Sequence, residues 1–161
     1  VSSATSSVTL TGIDSTYDVY MVVLNKVSVD TENSHLRFRV TVSGSPDTTS
    51  NYDKAVKKLR TDTTFTNTSA TNDDYGRCSA SSTGTATGET SEVIIYLFNF
   101  ANANEYSFLT YEEVMLSYHP TLFGSQGGAV HTVAQACDGI QFYHHNGDIN
   151  GGTFSLYGLK K

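Results

Sequence analysis

HLRFRVTV (residues 35–42) decides how this chain folds. Leu36, Phe38, Val40 and Val42 alternate with His35, Arg37, Arg39 and Thr41. Successive side chains of an extended chain point to opposite faces, so this period of two gives one apolar face and one wet face. Such a strand buries half of itself and needs a second layer to bury it against. Gly44 and Pro46 in the following SGSPDTTSN (43–51) then end it.

Working outward, the same signal recurs. VTLTG (8–12) is short. YDVYMVVLNKVSV (17–29) carries Val19, Met21 and Val23 on one side and Tyr20, Val22 and Leu24 on the other, so its first half predicts a central strand buried on both faces. EVIIYLFNF (92–100) is apolar on both sides and predicts the same. YEEVMLSYH (111–119), GAVHTVAQA (128–136), GIQFYHH (139–145) and GTFSLYGL (152–159) follow, each bounded by Gly, Pro, Asn or Asp.

YDKAVKKLR (52–60) fits a short helix through Tyr52, Val56 and Leu59, but its alternating lysines favour an edge strand. Residues 61–91 are rich in Thr, Ser, Asn and Gly. We expect a polar loop with a hairpin in its second half, at SASSTGTATG (79–88). Eight to nine strands without helical spacers predict an all-β chain, an antiparallel, jelly-roll-like β-sandwich forming a single domain over residues 1–161, with an N-terminal arm at 1–7.

Composition excludes some functions. The chain has a formal net charge of −6, and its one basic cluster, Lys57, Lys58 and Arg60, is flanked by Asp53 and Asp62, which argues against nucleic-acid binding. Only 16 % of residues are charged, and hydroxyl and amide side chains fill the surface instead. No apolar run approaches the ~20 residues of a membrane span, so membrane insertion is not expected. The two cysteines, Cys78 and Cys137, lack metal-ligand spacing and read as free, mostly buried thiols in preference to the disulfide they could form.

The chemistry-bearing residues are sparse. His144 and His145 are adjacent in a strand and point to opposite faces, so they do not share a metal. His35 and His131 have no partner at ligand spacing and read as surface or interface histidines. NGDING (146–151) is a turn rather than a calcium loop, since no acidic ladder follows it. Glu112 and Glu113 fail as a glycosidase pair, because strand neighbours face opposite ways. No GxSxG elbow is present. The expectation is a non-enzyme without metal or cofactor. One polar cluster, Asp73, Asp74, Tyr75 and Arg77 in NDDYGR, offers a ring and charges for a partner or ligand.

VSSATSSVTLTGIDSTYDVYMVVLNKV (1–27) and DGIQFYHHNGDINGGTFSLYGLKK (138–161) resemble the ends of small virion proteins of marine and cyanobacterial tailed bacteriophages. SNYDKAVKKLRTDTTFTNTS (50–69) and GGAVHTVAQACDGI (127–140) extend the resemblance over most of the chain. It implies a β-sandwich on the virion, made in the host cytoplasm and serving as a tail fibre, spike or capsid-decoration (head-fibre) component. Its implied partners are other copies of itself, with a trimer the expected form, other virion proteins, and a host-surface glycan. It carries over no functional residue. It also implies an arm upstream of Val1. Lys160 and Lys161 would protect the end of the last strand. The rival reading is a soluble carbohydrate-binding module. Its usual aromatic platform is weakened here by the absence of Trp.

Overall fold

Residues 36–42 form the strand that their alternation predicts, and it lies in the smaller of two packed sheets. The computed structural model describes residues 1–160, and its regular structure is entirely strand; Lys161 lies outside the described residues. The smaller sheet runs β1 (Val8–Thr11), β11 (Gly139–His144), β3 (Leu36–Val42) and the two-residue β4 (Ser45–Pro46). The equally short β7 (Gly76–Arg77) also pairs with β3. The larger sheet has seven strands, in the order β12 (Ile149–Leu159), β2 (Val19–Val29), β8 (Ser91–Phe98), β9 (Ser107–Leu116), β10 (Leu122–His131), β5 (Tyr52–Arg60) and β6 (Thr66–Asp73).

Every ladder is antiparallel. The chain switches sheets from β1 to β2 to β3 and again from β10 to β11 to β12, in the jelly-roll manner, whereas β8, β9 and β10 form a meander. The turn at Ser43 and Gly44 has φ of 51° and 77°, the paired left-handed residues of a tight hairpin turn.

The core lies between the sheets. Leu36, Phe38 and Val40 of β3 and Ile140 and Phe142 of β11 form one cluster with Val22 and Leu24 of β2, Val93, Ile95 and Leu97 of β8, and Leu109 and Tyr111 of β9. Two aromatic contacts cross the gap: Phe38 meets Tyr52 edge-on at 6.3 Å between ring centroids, and Phe142 meets Phe154 at 5.8 Å. Gly76 has to be glycine here. A Cβ on it would lie 1.9 Å from the Phe38 ring. Cys78 and Cys137 are free and buried.

Several boundaries differ from the sequence reading. YDKAVKKLR is a strand but not an edge, for β5 lies between β10 and β6. The true edge is TNTSATND, in the first half of the polar segment, and it forms a hairpin with β5. Its hydroxyl and amide side chains gave no apolar alternation, because neither face of this edge enters the core. The expected hairpin at 79–88 is instead irregular chain, tied down by a bridge between Ser34 and Thr83. The strand placed at 128–136 runs from Leu122 to His131, and its glycines obscured the pattern. The N-terminal arm is stitched to the start of β12, with Thr5 and Ile149 exchanging backbone hydrogen bonds and the Val1 ammonium donating to the Gly152 carbonyl at 2.7 Å.

Tyr52 joins the sheets by more than its ring. Its buried hydroxyl accepts from the Val40 amide at 3.1 Å and donates to the Asp47 carbonyl at 2.8 Å. Tyr52→Phe leaves both backbone groups without that partner, and we expect a loss of about 1–3 kcal/mol in urea unfolding with little change in fold. Wild-type stability in the variant would show that these bonds contribute nothing.

Candidate functional site

The polar cluster singled out in the sequence sits where β6 turns into β7, and it straps the edge of the larger sheet to β3. Asp73 pairs with the Lys54 ammonium. Asp74 accepts from Arg39 Nη2 at 2.8 Å, and its carbonyl accepts from Arg39 Nε at 2.9 Å. The Tyr75 ring lies between two cations, with the Arg37 guanidinium carbon 3.8 Å and Lys54 Nζ 4.2 Å from its centroid. Arg77 turns inward, where Nε donates to the Ser79 carbonyl at 2.9 Å and Nη2 lies 2.6 Å from His35 Nδ1. The structure therefore brings all four residues together: Asp73, Asp74 and the Tyr75 ring meet cations within the chain, whereas Arg77 meets a carbonyl and a histidine.

The histidines separate much as adjacency predicts: His144 is buried and His145 is exposed. His131 is not a surface residue. It is buried, with Nε2 3.0 Å from Asp47 Oδ2. His35 is also largely withdrawn from solvent, and burial together with Arg77 pushes its pKa down to about 3. Glu112 and Glu113 take opposite faces of β9. Glu112 is exposed and accepts from Gln126 at 2.9 Å, whereas Glu113 is buried.

The sequence reading separated Glu113 from Glu112 but gave it no role, although the alternation Tyr111, Glu113, Met115 already put it on the inward side. Its Oε1 accepts from Ser91 at 2.5 Å, while Oε2 accepts from the Ala80 amide at 2.5 Å and from Ser125 at 2.8 Å. One carboxyl thus joins β8, β9, β10 and the irregular chain at 80. Burial pushes its pKa up from 4.5 to about 7, against the opposing pull of those three hydrogen bonds and of Arg77.

Because the folded pKa exceeds the unfolded one, this carboxyl's contribution is fully present below pH 4.5 and is lost as pH rises through about 7. His35 and His144, held down at about 3 and about 4 by burial, act oppositely, their contribution fading as pH falls below 6.5. Glu113→Gln isolates the first effect, because the amide reproduces the network and does not titrate. We expect the wild type to lose roughly 2–4 kcal/mol relative to Glu113→Gln between pH 4.5 and 8, read by urea unfolding. A pH-independent difference would show that Glu113 titrates normally.

The outer face of the larger sheet carries the second unexpected feature. Registers align Leu159, Val19, Phe98, Phe108 and Val130 in one cross-strand row, and Tyr157, Met21, Tyr96, Thr110 and Gly128 in the next. Beside them lies Val23 opposite Ile94. Ile94 is 43 % exposed, Tyr96 39 %, Phe108 47 % and Tyr157 50 %. The prediction of two-sided burial for β2 and β8 is thus half met: one face is core and the other is open. Where Gly128 and Ala55 lack bulk, Phe108 and Val130 flank a shallow trough of about 550 Å³, closed on its far side by Ser69 and Ala70.

Comparison of the chain with protein-family models, with curated proteins and with solved structures returns no match. Fold and surface define an antiparallel β-sandwich with one apolar sheet face left open.

Proposed function

We propose that this chain is a non-enzymatic structural protein of a bacteriophage virion surface, a fibre, spike or capsid-decoration component, working as a symmetric assembly of its own copies. The open apolar face of the larger sheet is the observation that carries this reading. Strands β12, β2, β8, β9 and β10 present it together. At ~4.8 Å per strand and ~3.3 Å per residue over about seven residues, its flat footprint is ~550 Å². Side-chain relief raises this toward the ~800 Å² per partner of a stable protein interface. From β12 to β10 the rows through Phe98 and Tyr96 carry no charged side chain, and Glu112 opposite Ile94 and Asp53 beyond Val130 mark the margin, whereas an ordinary exposed sheet face alternates to polar residues.

A second copy fits it because the face holds both halves of a contact. Tyr96, Phe108 and Tyr157 protrude, and the Gly128 trough recedes. Knob and trough on one chain allow twofold pairing or a closed ring such as the expected trimer. The resemblance at both ends of the chain supplies the virion setting. The sandwich supplies a rigid body in which seven of the twelve strands, including all the long central ones, are paired on both sides, suited to bearing load rather than to turnover.

Sedimentation equilibrium should find an oligomer for the wild type and a monomer for Ile94→Glu with Tyr96→Glu, with the thermal midpoint of the isolated fold unchanged. Cryo-electron microscopy of intact particles should then place the sandwich on capsid or tail. A wild type that stays monomeric at ~100 µM would overturn the assembly, since a stable interface of this size holds well below that concentration. Particles lacking the chain would overturn the virion setting.

A further inference from the structure

Away from the open sheet face, the end of β5, the chain at 77–82 and the loop at 117–121 enclose a cleft of about 400 Å³. The alternation of β5 sends Lys57 to the outer face and Lys58 and Arg60 to the cleft, where Arg77 joins them. Three cations thus line this cleft in a chain of net charge −6. The only carboxylate in its lining, Asp62, is spent on Arg60, accepting from Nε at 2.8 Å and Nη2 at 2.7 Å.

The other two cations have no such partner. Lys58 makes no hydrogen bond or ion pair among the described residues, though it is partly withdrawn from water. Burial, then Arg77 and Arg60, lower its pKa, the direction expected of a cation crowded by like charge; buried Glu113 pulls weakly the other way. Arg77 donates to the Ser79 carbonyl and lies against His35, which is neutral. Neither contact balances its charge, and the buried Glu113 carboxyl that also acts on it has its pKa pushed up to about 7, so it holds its proton in acid. Thr121 adds a hydroxyl to the same walls, where Ser82 is engaged with His35 at 3.1 Å and Ser117 donates to the His119 carbonyl at 2.9 Å, and Tyr118 stacks on His119 with centroids 3.9 Å apart.

We propose that this cleft binds a phosphate or sulfate group, held by Lys58 and Arg77 at its wall. Two unbalanced cations converging on a hydroxyl-lined hollow match the charge and acceptor-rich surface of a tetrahedral oxyanion. The volume exceeds that of the bare ion and leaves room for a sugar ring against Tyr118 and His119. The site involves none of the residues of the apolar rows, so it stands whether or not the chain assembles.

The test is a titration of the isotope-labelled full chain, followed by amide cross-peaks at pH 6, where Glu113 holds its proton. Sodium sulfate and inorganic phosphate are the first probes, with galactose 6-sulfate and galactose beside them. Shifts should concentrate at residues 77–82 and 117–121. Lys58→Ala should weaken sulfate binding roughly tenfold, and Lys58→Glu should abolish it. Lys57→Ala, on the opposite face of the same strand, should leave it intact. Lys58→Gln removes the charge while keeping the stem, and should repeat the loss even if the Glu variant folds poorly.

Tighter binding of galactose 6-sulfate than of sulfate, with galactose inert, assigns the oxyanion to a glycan. Equal binding of the two assigns it to the free ion. Unchanged sulfate affinity in Lys58→Gln, or shifts lying elsewhere, would overturn the site.

Discussion

Two sheets stay together here because aromatic side chains span the gap between them at separated points. Tyr52 reaches from β5 to Phe38 and hydrogen-bonds the backbone of β3 and of the chain just beyond it. Phe142 meets Phe154 from the opposite sheet. Between these contacts the aliphatic side chains of β2, β8, β9, β3 and β11 fill the interior. Such a core is directional only through its rings; the rest is non-specific burial that any matching volume would satisfy. The register of the whole larger sheet follows, because a slip of one residue would send its inward row out to solvent.

That constraint makes every inward polar group costly, and not all are tied: among the described residues Tyr111 and Thr83 keep buried hydroxyls, and His144 both ring nitrogens, without a hydrogen-bond partner. Glu113 lies in an inward position, and its two oxygens collect donors from two neighbouring strands and from the chain at Ala80. A carboxyl in this setting is more easily held neutral than charged, so its raised pKa follows from burial. Arg77 enters the interior from the other side and gives that region positive character. The cleft above it inherits the charge. The interior electrostatics and the surface cleft are therefore two faces of one arrangement, set by where β7 delivers its arginine.

The outer face of the larger sheet obeys a different rule. An antiparallel sheet exposed on one side ordinarily alternates apolar with polar residues. Here β2 and β8 are apolar on both sides, and only the inner side finds its cover within the chain. A β-sandwich has no third layer to supply the rest, so that face stays open within one chain.

Much of the fold was legible in the sequence, because alternation is a one-dimensional trace of a two-sided environment. Residues 36–42 and 153–157 declared themselves in this way, 92–98 declared itself by an unbroken apolar run, and Glu112 and Glu113 were separated correctly by parity. TNTSATND was illegible because an edge strand outside the core needs no apolar period. LFGSQGGAVH was misplaced because glycines carry no side chain to mark a face. The cluster from Asp73 to Arg77 was visible as a polar group, but its partners Arg37, Arg39 and Lys54 lie far away in sequence and come near only through strand pairing. The sequence by itself determined which residues must be hidden, since that depends on side-chain chemistry and parity alone. Only the tertiary structure decided which hidden faces meet within one chain, which cations are left unbalanced, and which apolar face remains open, because those depend on the order of strands in the sheets.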